Sequence, residues 1–288
     1  MKQAAIIAIA VLFFIAALGL TFYPIISNYF NTLYASEIQT SYEAVIEEAD
    51  NRELIAAKEA AVAYNESITP GATMADAYSQ EALIAASKDY ETLLNLAGDG
   101  LMGYIEIPKI NVDLPIYHGT ADDTLERGVG HLLGSSLPVG GEYTHTILAG
   151  HSGLATQKMF TDLPQLAIGD VFYLKVLDET LAYQVYFTDK VLPYDTSHLQ
   201  LEAGRDLCTL VTCVPIGVNT HRLLVMAERI PYEEAEVIVE TTQEEAIVES
   251  TWEQHYLKGI FIGLGVVFAF GLIILIVWRV RRRSYESR

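Results

Sequence analysis

Thr209-Leu210-Val211-Thr212-Cys213-Val214-Pro215-Ile216-Gly217 is the stretch that decides the reading of this chain. Its β-branched and apolar residues predict a strand, and Pro215 and Gly217 predict the turn that ends it. Cys213 stands at the close of that strand, where a thiol is accessible. Cys208, five residues earlier, reads instead as a small buried apolar residue. The rise of a strand puts the two cysteines roughly 16 Å apart on opposite faces, too far for a disulfide. At least one thiol is therefore expected to be free.

Two other pieces carry chemistry. In Ala149-Gly150-His151-Ser152-Gly153 a predicted strand runs into a loop with small residues on both sides of a histidine. In Asn219-Thr220-His221-Arg222-Leu223 an arginine opens the strand after the cysteine. Attack on a carbonyl needs a thiolate, and an ordinary thiol is only a few per cent ionised near neutrality. An imidazolium at 151 would stabilise the thiolate and later protonate a leaving amine. The guanidinium of Arg222 would stabilise negative charge developing on oxygen. The other histidines, 118, 131, 145, 198, 221 and 255, are expected to satisfy local hydrogen bonds. No set of His, Cys, Asp and Glu has zinc-site spacing, Asp122-Asp123 reads as a solvated turn, and no cofactor is expected.

Outward from these pieces, residues 101–232 show short β-branched and aromatic runs punctuated by Gly, Pro and Asp. Eight strands are predicted, at 102–107, 112–117, 132–134, 146–149, 171–176, 182–191, 208–214 and 222–229. The fold class is mainly β, an eight-stranded barrel preceded by helices. Before it, 37–64 has helical spacing with no Gly or Pro to interrupt it. Pro70-Gly71 signals a turn, and 80–96 resumes helical spacing up to Gly98-Asp99-Gly100. After the barrel, 233–258 is acidic and weakly periodic, and reads as a linker or loose helix.

The ends are apolar. Residues 1–36 hold an uncharged run long enough to span a bilayer, read as an uncleaved anchor, with a cleaved secretory signal as the alternative. Residues 259–278 form a second run of spanning length, followed by the basic tail 279–288. Two transmembrane helices are thus expected. Positive charge stays cytoplasmic, which puts both termini inside and the middle of the chain outside. The net charge is −19. Without the ends, 12 basic residues face 36 acidic ones, a balance that repels nucleic acid.

Taken together, the three pieces resemble the sortase family, and more narrowly its pilus-assembling class C. The resemblance covers about 104–229 and includes Gly103-Tyr104-Ile105-Glu106-Ile107-Pro108, Gly134-Ser135-Ser136-Leu137-Pro138 and Val191-Leu192-Pro193-Tyr194-Asp195-Thr196. It implies a sortase-type β-barrel and a cysteine transpeptidase with Cys213, His151 and Arg222 as catalytic residues. Thr209 and Thr212 become candidates for the substrate-binding or oxyanion side. It further implies a lid at Asp76-Ala77-Tyr78, where class C enzymes have Asp-Pro-aromatic. In that arrangement Asp76 pairs with Arg222 and the Tyr78 ring covers Cys213. The implied partners are secreted pilin subunits bearing a Leu-Pro-x-Thr-Gly (LPXTG-like) sorting signal, cleaved between Thr and Gly and joined to a lysine amine. Ser152, Val214 and Ile216 depart from common class C residues and are expected to tune substrate choice. The alternatives are a sortase that attaches proteins to cell-wall precursor and a non-catalytic, membrane-held binding barrel.

Overall fold

The strands close on themselves. In the computed structural model, which describes residues 2–68, 76–78, 90–243, 254, 256–269, 271 and 279 (2–10, 242 and 243 by backbone alone), eight strands form one closed barrel. They are β1 (Leu101–Ile107), β2 (Val112–His118), β3 (Val129–His131), β4 (Thr144–Ala149), β5 (Val171–Val176), β6 (Glu179–Val191), β7 (Asp206–Val214) and β8 (His221–Ile230). The order around the barrel is β1-β2-β3-β4-β7-β8-β6-β5, and β1 closes it by pairing with β5. Two pairs run parallel, β2 with β3 and β4 with β7. Every other pair is antiparallel.

Side chains alternate across each strand. On β7 and β8, Cys208, Leu210, Val225 and Ala227 point into the barrel with Ile105, Leu148, Phe172 and Tyr183. Val211, Leu224 and Met226 point the other way and make a second apolar cluster with Ile147, Ala149, Val191, Leu199 and Ala77. Cys213 shares the face of Val211, and Arg222 that of Leu224. The interior cluster is the barrel's core, whereas the second is a floor on its outer surface.

Seven of the eight strands overlap their predicted spans. The third does not: it was expected at 132–134 and lies at Val129–His131. Leu132 and Leu133 have the apolar character of a strand, but the strand lies on the Gly-containing stretch before them. Gly130 is a strand residue pressed on the neighbouring chain, since a Cβ there would lie 2.3 Å from the Gly119 carbonyl oxygen. A short α3 (Asp122–Arg127) leads into this strand.

The helix expected over 37–64 is two helices, α1 (Lys2–Glu48) and α2 (Asn51–Ser67). Asp50 separates them as an N-cap, its carboxylate accepting from the backbone N–H of Arg52 (2.7 Å) and Glu53 (3.0 Å). Tyr42 docks α1: its hydroxyl accepts from Leu177 N and donates to Met102 O. Asn65 docks α2 by exchanging two hydrogen bonds with the backbone of Leu137, as a strand neighbour would. Most of the second expected helix, 80–96, and the turn at Pro70-Gly71 lie outside the described residues; Tyr90–Thr92 is one 3-10 turn. The acidic stretch expected as a linker or loose helix begins with a regular helix, α4 (Tyr232–Gln243), whose Ala235, Ile238 and Val239 pack on Val171, Tyr173 and Ala182.

The chain divides into two compact units, residues 22–248 and a second made of 1–21 and 249–288. Among the described residues one helix is long and apolar enough to cross a membrane, at Val11–Glu48. Tyr256–Ala269 is apolar but shorter than a span. The expectation of two spanning helices is thus matched for the first only, because the second is described over part of its length.

Candidate active site

Register assembles the site. The parallel ladder of β4 and β7 pairs Ala149 with Val211, and the Gly150 N–H donates to the Val211 carbonyl to carry it one step further (3.1 Å). His151 and Cys213 each lie two residues beyond that last pair, so they stand at the same level and the same end of the barrel, His151 in the loop after β4 and Cys213 still on β7. The antiparallel ladder of β7 and β8 pairs Cys213 directly with Arg222. Directly opposed residues of an antiparallel pair have their Cβ atoms roughly 5 Å apart. Cys213 and Arg222 therefore come from adjacent strands, and His151, distant in sequence, comes from the loop that follows the next strand, β4.

The segment 76–78 lies over them. Arg222 donates to both carboxylate oxygens of Asp76, Nε to Oδ1 at 2.8 Å and Nη2 to Oδ2 at 2.6 Å. Both side chains are nearly buried. The guanidinium carbon sits 4.8 Å from the centre of the Tyr78 ring, and that ring lies 6.2 Å from the His151 ring. The Tyr78 hydroxyl donates to the carbonyls of Gly150 (2.7 Å) and Val211 (3.1 Å). Ala77 is buried in the floor cluster. Under this cover Cys213 is only 8% exposed.

The electrostatics follow from the cover. Burial pushes the Cys213 thiol up; Arg222 pulls it down and Asp76 pushes it up again. Burial also holds the His151 imidazole below its usual value, while Asp122 and Glu126 on α3 act in the opposite sense. Neutral thiol beside neutral imidazole is favoured while the segment is in place. Removing Asp76 takes away an anion that holds the Cys213 thiol up, and readmitting water relieves the burial that disfavours both the thiolate and the imidazolium.

The loop of His151 depends on small residues. A Cβ on Gly150 would lie 2.7 Å from the Phe160 ring, and one on Gly153, at φ +73, would lie 2.3 Å from Ile216 Cγ2. The Ser152 hydroxyl donates to the Cys213 carbonyl at 2.5 Å, tying the residue after the histidine to the cysteine's own backbone. The sequence marked Ser152 and Ile216 as departures but gave no sign of these contacts, which depend on how two loops meet.

The two threonines expected on the substrate-binding or oxyanion side are both buried. Thr212 is fully buried on the opposite face from Cys213, and its hydroxyl donates to the Gly150 carbonyl (2.7 Å). Thr209 is fully buried as well, paired through its hydroxyl with His145 Nε2 (2.7 Å), whose Nδ1 meets the Gln200 carbonyl. Both hydroxyls are engaged by the scaffold, Thr212 beside the Tyr78 hydroxyl and Thr209 beside His145. Cys208 is free, buried in the barrel core, and its thiol is pushed well up by burial. Among the described residues no group of His, Cys, Asp and Glu could hold a metal ion.

A family model described as Sortase domain matches residues 105–230. Solved structures of sortase C-1 from Actinomyces oris (45% identity, 62% of this chain and 99% of that one, TM-score 0.58) and sortase C1 from Streptococcus agalactiae (42%, 68% and 98%, 0.61) share the fold. So does sortase C-1 from Streptococcus pneumoniae (39%, 68% and 99%, TM-score 0.63). The chain belongs to the sortase family. Among curated proteins it is similar to Sortase D of Bacillus subtilis, 34% identical over 131 residues, covering 44% of this chain and 63% of that protein. It matches 63% or less of the length of these curated relatives. Sortases are cysteine transpeptidases, and the neighbours of this sortase among solved structures are class C enzymes.

Proposed function

We propose that this sortase polymerises pilin subunits, with Cys213 as nucleophile, His151 as proton carrier and Arg222 as oxyanion stabiliser. The register that sets Cys213 opposite Arg222 and level with His151 carries the reading. With the 76–78 segment lifted, the thiolate attacks the Thr carbonyl carbon of an LPXTG-like signal. The oxyanion is met by the guanidinium, which is then free of Asp76. His151 delivers its proton to the leaving glycine amine as the C–N bond breaks. A thioester remains on Cys213. The lysine amine of the next subunit attacks it, loses a proton to His151, and forms an isopeptide bond as the C–S bond breaks and the Cys213 thiolate is restored beside an imidazolium.

Asp76, Ala77 and Tyr78 act as a lid. Without proline at 77, the hold on the lid comes from the paired bonds of Asp76 to Arg222 and from the two bonds of the Tyr78 hydroxyl. The catalytic unit faces the exterior, tethered by α1 and by a second span at 259–278, with both termini cytoplasmic; Lys2 before the uncharged run within 1–36, and the arginine tail, support this topology.

Pilin polymerisation is preferred to wall anchoring because the class C structures, one described as a pilus-related sortase C, match at 38–45% identity across nearly their whole length. The curated proteins named sortase A match at 28–34% over a shorter stretch. Incubating the full chain with purified pilin bearing a sorting signal tests the reading. A ladder of covalent pilin oligomers, abolished by Cys213→Ala, is expected. Hydrolysed or wall-precursor-linked product alone would overturn polymerisation, and an unmodified Cys213 with the lid removed would favour a binding barrel.

A further inference from the structure

Residues 22–34 of α1 are built inside out. The side of this turn-by-turn helix that rests against the barrel carries Ser27, Asn28 and Asn31, whereas Tyr23, Ile26, Tyr29, Phe30, Leu33 and Tyr34 are exposed. A helix packed on a protein in water does the reverse, burying its apolar stripe and wetting its polar one. Farther along, the same helix obeys that rule: Ile38, Tyr42 and Ile46 face the barrel. The inversion is confined to the uncharged stretch that continues the apolar start of the chain. Counted from Lys2, about 20 residues cross a hydrocarbon core, which brings Tyr23 to the outer edge of a bilayer, where tyrosine is favoured.

The polar side of the stretch grips the loop of the proton carrier. Asn28 Oδ1 accepts from the Lys158 N–H at 3.0 Å, and Asn31 Nδ2 donates to the Thr156 carbonyl at 3.2 Å. That loop returns at once to the site: the Phe160 N–H donates to the His151 carbonyl (2.9 Å), the Gly153 N–H to Thr161 Oγ1 (2.9 Å), and the Phe160 ring stands against Gly150. Residues 151–161 are thus closed at the neck by their own bonds and held at the far edge by α1.

We infer that residues 22–34 lie with their apolar side in the outer interface of the bilayer while Asn28 and Asn31 hold the His151 loop, making the lipid-seated helix a positioning element of the active site. The partner of the exposed face is lipid, argued from its lack of charge, its tyrosines and its continuity with the apolar run. Asn28 and Asn31 touch no reacting atom. They act through the backbone of 156–160 on where the imidazole stands. The proposal deepens the functional reading above and rests on it for the role of His151 and for the outward-facing topology.

Full-length protein in lipid nanodiscs tests both halves. In hydroxyl-radical footprinting, Tyr29, Phe30 and Tyr34 are spared while Tyr194, 80% exposed on the barrel, is heavily modified. Modification of those three at the rate of Tyr194 would overturn the lipid contact. In the Asn28→Ala/Asn31→Ala double variant, amide exchange over 154–160 speeds up. Its kcat for sorting-peptide cleavage falls about three- to tenfold with KM within about twofold, and the limb of the pH profile due to His151 moves. Unchanged exchange with unchanged kcat would overturn the positioning role. A wild-type protein inactive on every sorting peptide counts against the proposed function, whereas footprinting and exchange still decide this inference.

Discussion

Arg222 and Asp76, 146 residues apart in sequence, meet through two hydrogen bonds of 2.8 and 2.6 Å in a nearly water-free setting. The charge proposed to stabilise an oxyanion is already occupied by a carboxylate. Substrate and Asp76 therefore compete for one guanidinium, and the predictions begin there.

Replacing Asp76 with Ala or Asn removes an anion that raises the Cys213 thiol and leaves Arg222, which lowers it, unopposed. The alkylation profile of Cys213 with iodoacetamide shifts to lower pH, and labelling at pH 7 quickens by about threefold or more. Tyr78→Ala gives a similar gain by exposure. The same thiol titration on wild type and Cys208→Ala separates the two cysteines, since Cys208 stays unreactive in the folded protein.

Ser152→Ala removes the hydroxyl that joins the histidine loop to the Cys213 carbonyl. A loss of about 1 kcal/mol in stability is expected for one hydrogen bond of this kind, read as a lowered Tm. Peptide cleavage falls more than that loss accounts for, because the proposed nucleophile and the proposed proton carrier flank the missing bond.

Gly153→Ala meets two obstacles, a left-handed backbone and the methyl of Ile216 at 2.3 Å. Destabilisation of about 1–3 kcal/mol follows. Adding Ile216→Ala relieves the overlap but not the backbone strain, so calorimetry on the double variant recovers only part of the loss.

His131 sets an acid limit. It is fully buried, joined to Tyr90 Oη and to the Ser136 carbonyl, and burial pushes its pKa down to about 4 from the ordinary 6.5. Between these values the unfolded chain takes up the proton and the folded chain does not. The stability contribution is therefore complete above pH 6.5 and is lost as pH falls toward 4, by up to about 3 kcal/mol. Denaturant midpoints measured from pH 7.5 to 4.5 decline accordingly, and the ring's NMR signals stay those of a neutral imidazole until the protein unfolds.

The site was more legible than its support. A cysteine ending a strand and an arginine opening the next predict each other's neighbourhood, since an antiparallel return across a short turn leaves little choice of register. The position of His151 needed the parallel partnership of β4 and β7, whose strands are separated by a long connection and share no local signal. Helix α1 was cut at Asp50 by a capping pattern the sequence does contain, Asp50-Asn51-Arg52-Glu53, but the Ala- and Glu-rich surroundings masked it. The buried pairings of Thr209 with His145 and Tyr90 with His131 were invisible. Each joins residues that periodicity assigns to separate elements, and nothing in a threonine's neighbours tells whether its hydroxyl faces solvent or a ring nitrogen.

The parallel pairing of β4 with β7 has one further consequence. Strands that run the same way cannot be joined by a hairpin, so more than fifty residues, including β5 and β6, separate the strand that leads to His151 from the strand that carries Cys213. Their meeting is a product of long-range contact and not of local structure. Until β4 and β7 pair, nothing in the chain fixes the distance between that thiol and that histidine, so the proposed chemistry is a property of the closed barrel and of no shorter fragment.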